Sequence, residues 1–294
     1  CPFGAIVDKS QIYQVVRSIL EGNEVIAIVA PSFAGQFGKN VTAAKFVAAM
    51  KALGFSAVEE VAVGADICAV EEARDYLEKV PAENRFLATS CCPSWRMMAR
   101  RLFPKESGNI SMTYTPMVYT ARMVKEQHPG CKVVFVGPCA AKKLEAMQEE
   151  LRNDVDFVLT YEELMGIFEA KDVDLETIEP DEELKNGTGL GRGFAAAGGV
   201  ALAVEDVIRK LRPDAEVKIQ RADGLRECRK LLTLARAGKL DGYLLEGMAC
   251  PGGCIAGAGT IIAPEQAAKK LKEHIAQADV TSCADSPFRA ELEK

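Results

Sequence analysis

At 294 residues with 48% hydrophobic side chains, the chain is long enough to bury one large or two medium cores, which excludes a disordered chain. Its 36 basic against 42 acidic side chains leave a formal charge of -6, so no overall basic field attracts nucleic acid or an anionic membrane surface. No run approaches the roughly 18 apolar residues of a membrane helix, and no secretory pattern opens the chain, so a cytoplasmic protein without nucleic-acid or membrane partners is expected.

In chain order, short apolar runs bounded by turn residues predict buried strands at Val25-Ile26-Ala27-Ile28-Val29, Phe86-Leu87-Ala88-Thr89, Val133-Val134-Phe135-Val136, Phe157-Val158-Leu159 and Tyr243-Leu244-Leu245. Helical spacing of apolar residues predicts helices over 41–53, 70–80, 93–103, 116–127, 200–211 and 225–237. Strands alternating with helices imply an α/β fold, with two lobes of largely parallel sheet flanked by helices and the active site in the cleft between them. The turn Gln127-His128-Pro129-Gly130 is the expected boundary, giving an N-terminal lobe over 11–128 and a C-terminal lobe over 129–294.

In open α/β sheets the functional crevice lies beyond the carboxyl ends of the strands. Four such ends run into unusual residues: Ala30-Pro31-Ser32, Ser90-Cys91-Cys92-Pro93, Gly137-Pro138-Cys139 and Gly247-Met248-Ala249-Cys250. Ten cysteines in a chain with an ample core do not need to be disulfides, and convergence of three cysteine loops on one site is the alternative.

The densest of these segments, Glu246 to Gly259, sets Cys250 and Cys254 among glycines. Thiolates are the ligands that iron-sulfur clusters need, and glycine lets the backbone wrap closely. A Gly-rich turn with two buried thiols is the plainer alternative. Adjacent residues rarely ligate one ion together, so one of Cys91 and Cys92 is the better ligand and the other is free for different chemistry. Lys142 and Lys143 follow Cys139 at a helix start, where cations oppose the helix dipole. Either an anion sits in front of them, or they form a solvated basic turn.

Thr-Ser-Cys-Cys-Pro-x-Trp over 89–95, Pro-Cys-x-x-Lys-Lys-x-Glu over 138–145 and Glu-x-Met-x-Cys-x-Gly-Gly-Cys over 246–254, in this order, resemble the three signature segments of [FeFe] hydrogenases. The likeness extends to Ala30-Pro31-Ser32, to Gly64-Ala65-Asp66 with Glu71-Glu72, and to Gly198-Gly199-Val200. It implies reversible conversion of protons and electrons to hydrogen at an H-cluster, a [4Fe-4S] cubane joined to a diiron subcluster with carbon monoxide, cyanide and azadithiolate ligands. By motif position the cubane ligands would be Cys92, Cys139, Cys250 and Cys254, the last bridging to the diiron unit. Lys142 and Ala30-Pro31-Ser32 would hydrogen-bond cyanide, Met248 would pack nearby, and Cys91 would be the proton-transfer thiol.

Glu72, Ser111 and Asp75 align with the family's proton relay, although charged residues three apart on a helix equally describe a solvated face. Cys1-Pro2 resembles the end of a bacterial ferredoxin run, so residues 1–10 are expected to be the remnant of an upstream ferredoxin-like domain with further [4Fe-4S] clusters. Ferredoxin or another electron carrier and hydrogenase maturation proteins are the implied partners. Three positions depart from the family pattern: Gly137 stands where methionine is usual, Met117 where glutamine is usual, and Gly257-Ala258-Gly259 replaces three glycines. These leave room for a hydrogen-sensing module or a hydrogenase-like iron-sulfur assembly protein beside the enzyme.

Overall fold

The structure, a computed structural model, describes residues 8–288, so Cys1-Pro2 lies outside the described residues. Its first half runs α1 (Ile12–Leu20), β1 (Val25–Val29), α2 (Ala43–Ala52), β2 (Ala57–Glu60), α3 (Val61–Lys79), β3 (Leu87–Ala88), α4 (Pro93–Leu102) and α5 (Pro116–Gln127). It continues with β4 (Lys132–Gly137), α6 (Ala141–Ala146), β5 (Phe157–Thr160), α7 (Tyr161–Ala170), α8 (Gly189–Gly193), α9 (Gly199–Leu211), β6 (Lys218–Asp223), α10 (Leu225–Arg236), β7 (Tyr243–Met248) and α11 (Pro264–Ala276).

The strands form two parallel sheets, one in the order β2-β1-β4-β5 and one in the order β3-β7-β6. All five residues of β1 are buried, as a parallel strand covered by helices on both faces requires. Proline occupies the first turn of α4, α5 and α11, where no N–H is needed and its fixed φ suits the helix. Thr160 and Glu163 close a capping box at the start of α7.

The expected boundary at 128/129 does not part the two lobes. β1 pairs with β4 in register from Val25 opposite Lys132, so the turn at 127–130 joins two elements of one sheet. The other sheet likewise takes β3 from before that turn and β6 and β7 from after it, so the chain crosses between sheets. This interleaving sets the carboxyl ends of β1, β3, β4 and β7 around a common space. Among the described residues no helix is long and apolar enough to cross a membrane.

Candidate metal centre

A cavity of about 100 Å³, opening to solvent, lies where strands of both sheets end. Ala30, Pro31 and Ser32 line it from the end of β1, Cys91 and Cys92 from β3, Cys139 and Lys142 from β4 and α6, and Met248, Cys250 and Cys254 from β7 and its turn. Cys92 is the residue before α4, and Pro93 begins that helix. The Trp95 indole donates to the Thr89 carbonyl at 3.1 Å, and its ring lies where a side chain at Gly247 would begin, bracing the β3 loop against β7.

Glycines allow the last loop to close on its neighbours. Gly253 has φ +93°, and a Cβ there would strike the backbone of Ala195 to Ala197. Gly257 lies against the Pro138 carbonyl, which also accepts from the Gly259 N–H at 2.9 Å, so the Cys254 and Cys139 loops are stitched backbone to backbone.

The nine described cysteines carry free thiols. Burial raises the Cys250 thiol to about 11 and Cys139 above its ordinary value, while burial with Cys139, Cys92 and Cys250 nearby pushes Cys254 higher still. Each of these thiols needs a positive centre to become a thiolate, and a metal supplies one. Among the described residues no three ligating side chains close on a point as they would around a single ion. A cubane carries its four thiolates on four separate irons, so its ligands stand farther apart, and this soft donor set fits such a cluster.

The Lys142 ammonium donates to Glu145 Oε2 at 2.6 Å and reaches the Cys91 carbonyl at 3.4 Å, the outer limit of a hydrogen bond. The ammonium of Lys143 pairs with Asp8 at 2.6 Å and Glu163 at 2.9 Å. Carboxylates of the chain itself therefore balance both cations at the start of α6. Burial, with Glu72 adding, holds the Cys91 thiol well above its ordinary pKa, so it is a protonated thiol at neutral pH.

Ser32 shares a 2.7 Å hydrogen bond with the buried Tyr161 hydroxyl, which also donates to the Ala30 carbonyl at 3.1 Å. Tyr161 carries no motif and escaped sequence reasoning, as did Phe135 and Phe194, which line the cavity from positions that read as ordinary core. The departures meet here too. Phe135 precedes Gly137 by two on β4, and its ring comes to 2.5 Å from where a Cβ at Gly137 would begin, while Met117 lines the cavity beside it.

None of Glu72, Ser111 and Asp75 lines the cavity. Glu72 is fully buried, and its Oε1 accepts from the Ser90 N–H at 2.7 Å and the Ser90 hydroxyl at 2.9 Å. Ser90 also reaches the Thr113 carbonyl, and the Thr113 N–H donates to Ser111, whose hydroxyl lies 3.3 Å from Asp75. The Thr113 peptide thus separates Glu72 from Ser111. Asp75 is held by Lys79 at 2.6 Å in an i,i+4 helix pair, which is what a solvated face would show.

Burial raises Glu72 from an ordinary 4.5 to about 7. Over that interval the folded protein holds a proton that the unfolded chain has released, so this group lowers stability as pH rises from about 4.5 to about 7. The effect is on the order of 3 kcal/mol. Glu72→Gln should flatten this fall, seen as a smaller difference in urea midpoint between about pH 5 and pH 8. Asp66, raised to about 6 by burial, keeps its own share of the slope.

A family model described as "Iron only hydrogenase large subunit, C-terminal domain" matches residues 23–258. The chain is 29% identical over 319 residues to the NADP-reducing hydrogenase subunit HndD of Solidesulfovibrio fructosivorans, covering 88% of this chain and 54% of that protein. It is also 25% identical over 341 residues to the cytosolic iron-sulfur assembly component 3 of Pongo abelii, covering 92% of this chain and 71% of that one. The chain spans about half the length of HndD and of iron hydrogenase 1 of Clostridium pasteurianum. A solved structure from a study of oxygen inactivation of [FeFe]-hydrogenase superposes with a TM-score of 0.81 at 20% identity, over 97% of this chain and 94% of that chain, and so shares its fold. With the family model matched across both sheets and all three cysteine loops, the chain belongs to the family defined by the C-terminal domain of the iron-only hydrogenase large subunit.

Proposed function

We propose that this chain binds an H-cluster in the cavity and converts protons and electrons reversibly to hydrogen. The observation that carries the reading is the meeting, on one cavity, of four cysteines from three distant loops with a protonated thiol, Cys91, and a buried lysine. Cys92, Cys139, Cys250 and Cys254 hold the cubane, and Lys142 with Ala30-Pro31-Ser32 and Met248 surrounds the diiron end. When bound, the cluster supplies electron storage and the hydrogen chemistry itself. The chain supplies orientation, exclusion of water and proton delivery. Cys91 keeps its proton at neutral pH, while Glu72 at about 7 is poised to give and take one through Ser90. The Thr113 backbone stands between Ser90 and Ser111 and interrupts the outer part of the relay toward Asp75.

Electron supply fits an acidic carrier of the ferredoxin type. α4 and α10 pack together through Trp95, Ala99 and Phe103 against Cys228, Leu231 and Leu232, and their outer faces carry Arg100, Arg101, Arg226 and Arg229, exposed and without an ion pair among the described residues. Met97, Leu102 and Leu225 stand exposed among them, and α10 starts where Asp223 holds the Gly252 N–H of the Cys250 turn at 2.5 Å. Reversing Arg226 and Arg229 to glutamate should raise the KM for reduced ferredoxin at least ~10-fold at low salt and leave turnover with methyl viologen unchanged. Equal loss with both donors would argue against this face.

Two other readings have specific support. Phe135 filling the space at Gly137, with Met117 beside it, gives a cavity wall unlike that of fast enzymes and favours a hydrogen sensor with slow turnover. Likeness to an iron-sulfur assembly component favours an assembly role, for which neither Cys91 nor Lys142 would be needed. Co-expression with hydrogenase maturation proteins under anoxia, followed by infrared spectroscopy and hydrogen assay, separates all three. Carbonyl and cyanide bands with rapid hydrogen evolution support the enzyme, bands with slow turnover the sensor, and a cubane without bands the assembly protein.

A further inference from the structure

Ser32 lines the cavity, and its hydrogen-bond partner Tyr161 stands behind it and is not part of the lining. Tyr161 begins α7, is fully buried, and packs edge-on against Phe37 with ring centroids 5.7 Å apart, so its phenol is fixed in position. One phenol proton faces two oxygens, Ser32 Oγ at 2.7 Å and the Ala30 carbonyl at 3.1 Å. The Ala30 carbonyl already accepts from the Phe33 N–H at 3.0 Å, so it is satisfied whichever way the phenol turns.

Two proton arrangements follow. With the phenol proton on Ala30, Ser32 must donate to the phenol to keep the 2.7 Å bond, and it shows the cavity only lone pairs. With the phenol proton on Ser32, the serine proton is released toward the cavity, and the bond it accepts strengthens it as a donor. From this we infer that Tyr161 is a positioning residue that turns Ser32 into a hydrogen-bond donor toward a small anionic ligand, such as metal-bound cyanide, on the Ala30-Pro31-Ser32 side of the cavity. The inference rests on the H-cluster reading above. It assigns Tyr161 the part of preparing the donor, by a turn of two hydroxyl protons that leaves the charge of the Tyr161–Ser32 pair unchanged.

Tyr161→Phe removes the hydroxyl and keeps the ring. The test loads cubane-containing wild type, Tyr161→Phe, Ser32→Ala and the double variant with a synthetic diiron azadithiolate complex bearing carbon monoxide and cyanide, and records infrared spectra with the cubane electron paramagnetic resonance signal as control. One cyanide band should shift in Tyr161→Phe, the same band should shift further in Ser32→Ala, and the double variant should match Ser32→Ala alone, since the phenol acts through the serine. A second variant with fluorotyrosine at 161, a stronger donor, should move that band the opposite way. The inference is overturned if Tyr161→Phe leaves both cyanide bands in place, or if the two shifts add. Wild type that holds a cubane yet shows no cyanide band would overturn the H-cluster reading itself, a result distinct from unchanged bands.

Discussion

Cys139→Ser is expected to strip the protein of its cubane, with iron and sulfide contents falling to background and hydrogen turnover below detection. Cys139 follows Pro138 at the end of β4, and Pro138 is tied through its carbonyl to Gly259 beyond the Cys254 turn, so the backbone that carries its sulfur is held in place. A hydroxyl is a poor substitute for a soft thiolate on iron. The informative control is Cys228→Ser. That thiol is also buried, but it is committed to the Met248 carbonyl at 3.3 Å and the Ala222 carbonyl at 3.5 Å and does not line the cavity, so the variant should keep its full complement of iron. Retention of a complete cubane in Cys139→Ser would refute the ligand assignment.

The site was more legible in the sequence than the fold that builds it. Motif residues converge because strand ends do, and Val25 to Val29 or Val133 to Val136 announce buried strands by composition alone. β2 escaped because Ala57-Val58-Glu59-Glu60 looks like surface. Glu60 is nevertheless buried, its charge met by the two-pronged guanidinium of Arg192 at 2.8 Å, more than a hundred residues away. β6 escaped because Lys218 to Asp223 is an edge strand with polar residues facing outward.

The expected boundary failed for a related reason. A charged turn with proline and glycine marks a change of element, but whether it also marks a change of sheet depends on long-range pairing such as Ile26 opposite Val133, which no local pattern encodes. Tyr161 was invisible on the same grounds, since its partner Ser32 lies 129 positions earlier. Glu145, by contrast, was in view as a motif residue. Its role as counterion to Lys142 follows from i,i+3 spacing on α6 once the helix is known.

Cys91→Ala should leave the cubane and the infrared bands of the diiron unit in place while lowering hydrogen turnover by at least ~100-fold, the usual scale for loss of a positioned proton donor. Cys91 lies next to a proposed ligand but is set apart by its environment. Burial disfavours its thiolate as it does those of Cys139, Cys250 and Cys254, and what marks Cys91 is the proximity of Glu72, which adds to that penalty and suits a group that must carry a proton. Alanine is close in size to this half-buried cysteine and keeps its packing, so lost activity would report on the proton. Glu72→Gln should act in the same direction, because the amide cannot exchange the proton that Ser90 shares with the carboxylate. If Cys91→Ala kept full turnover with intact bands, protons would have to reach the cavity by another wall, and the lysine at 142, salt-bridged to Glu145 and touching the same space, would be the next donor to remove.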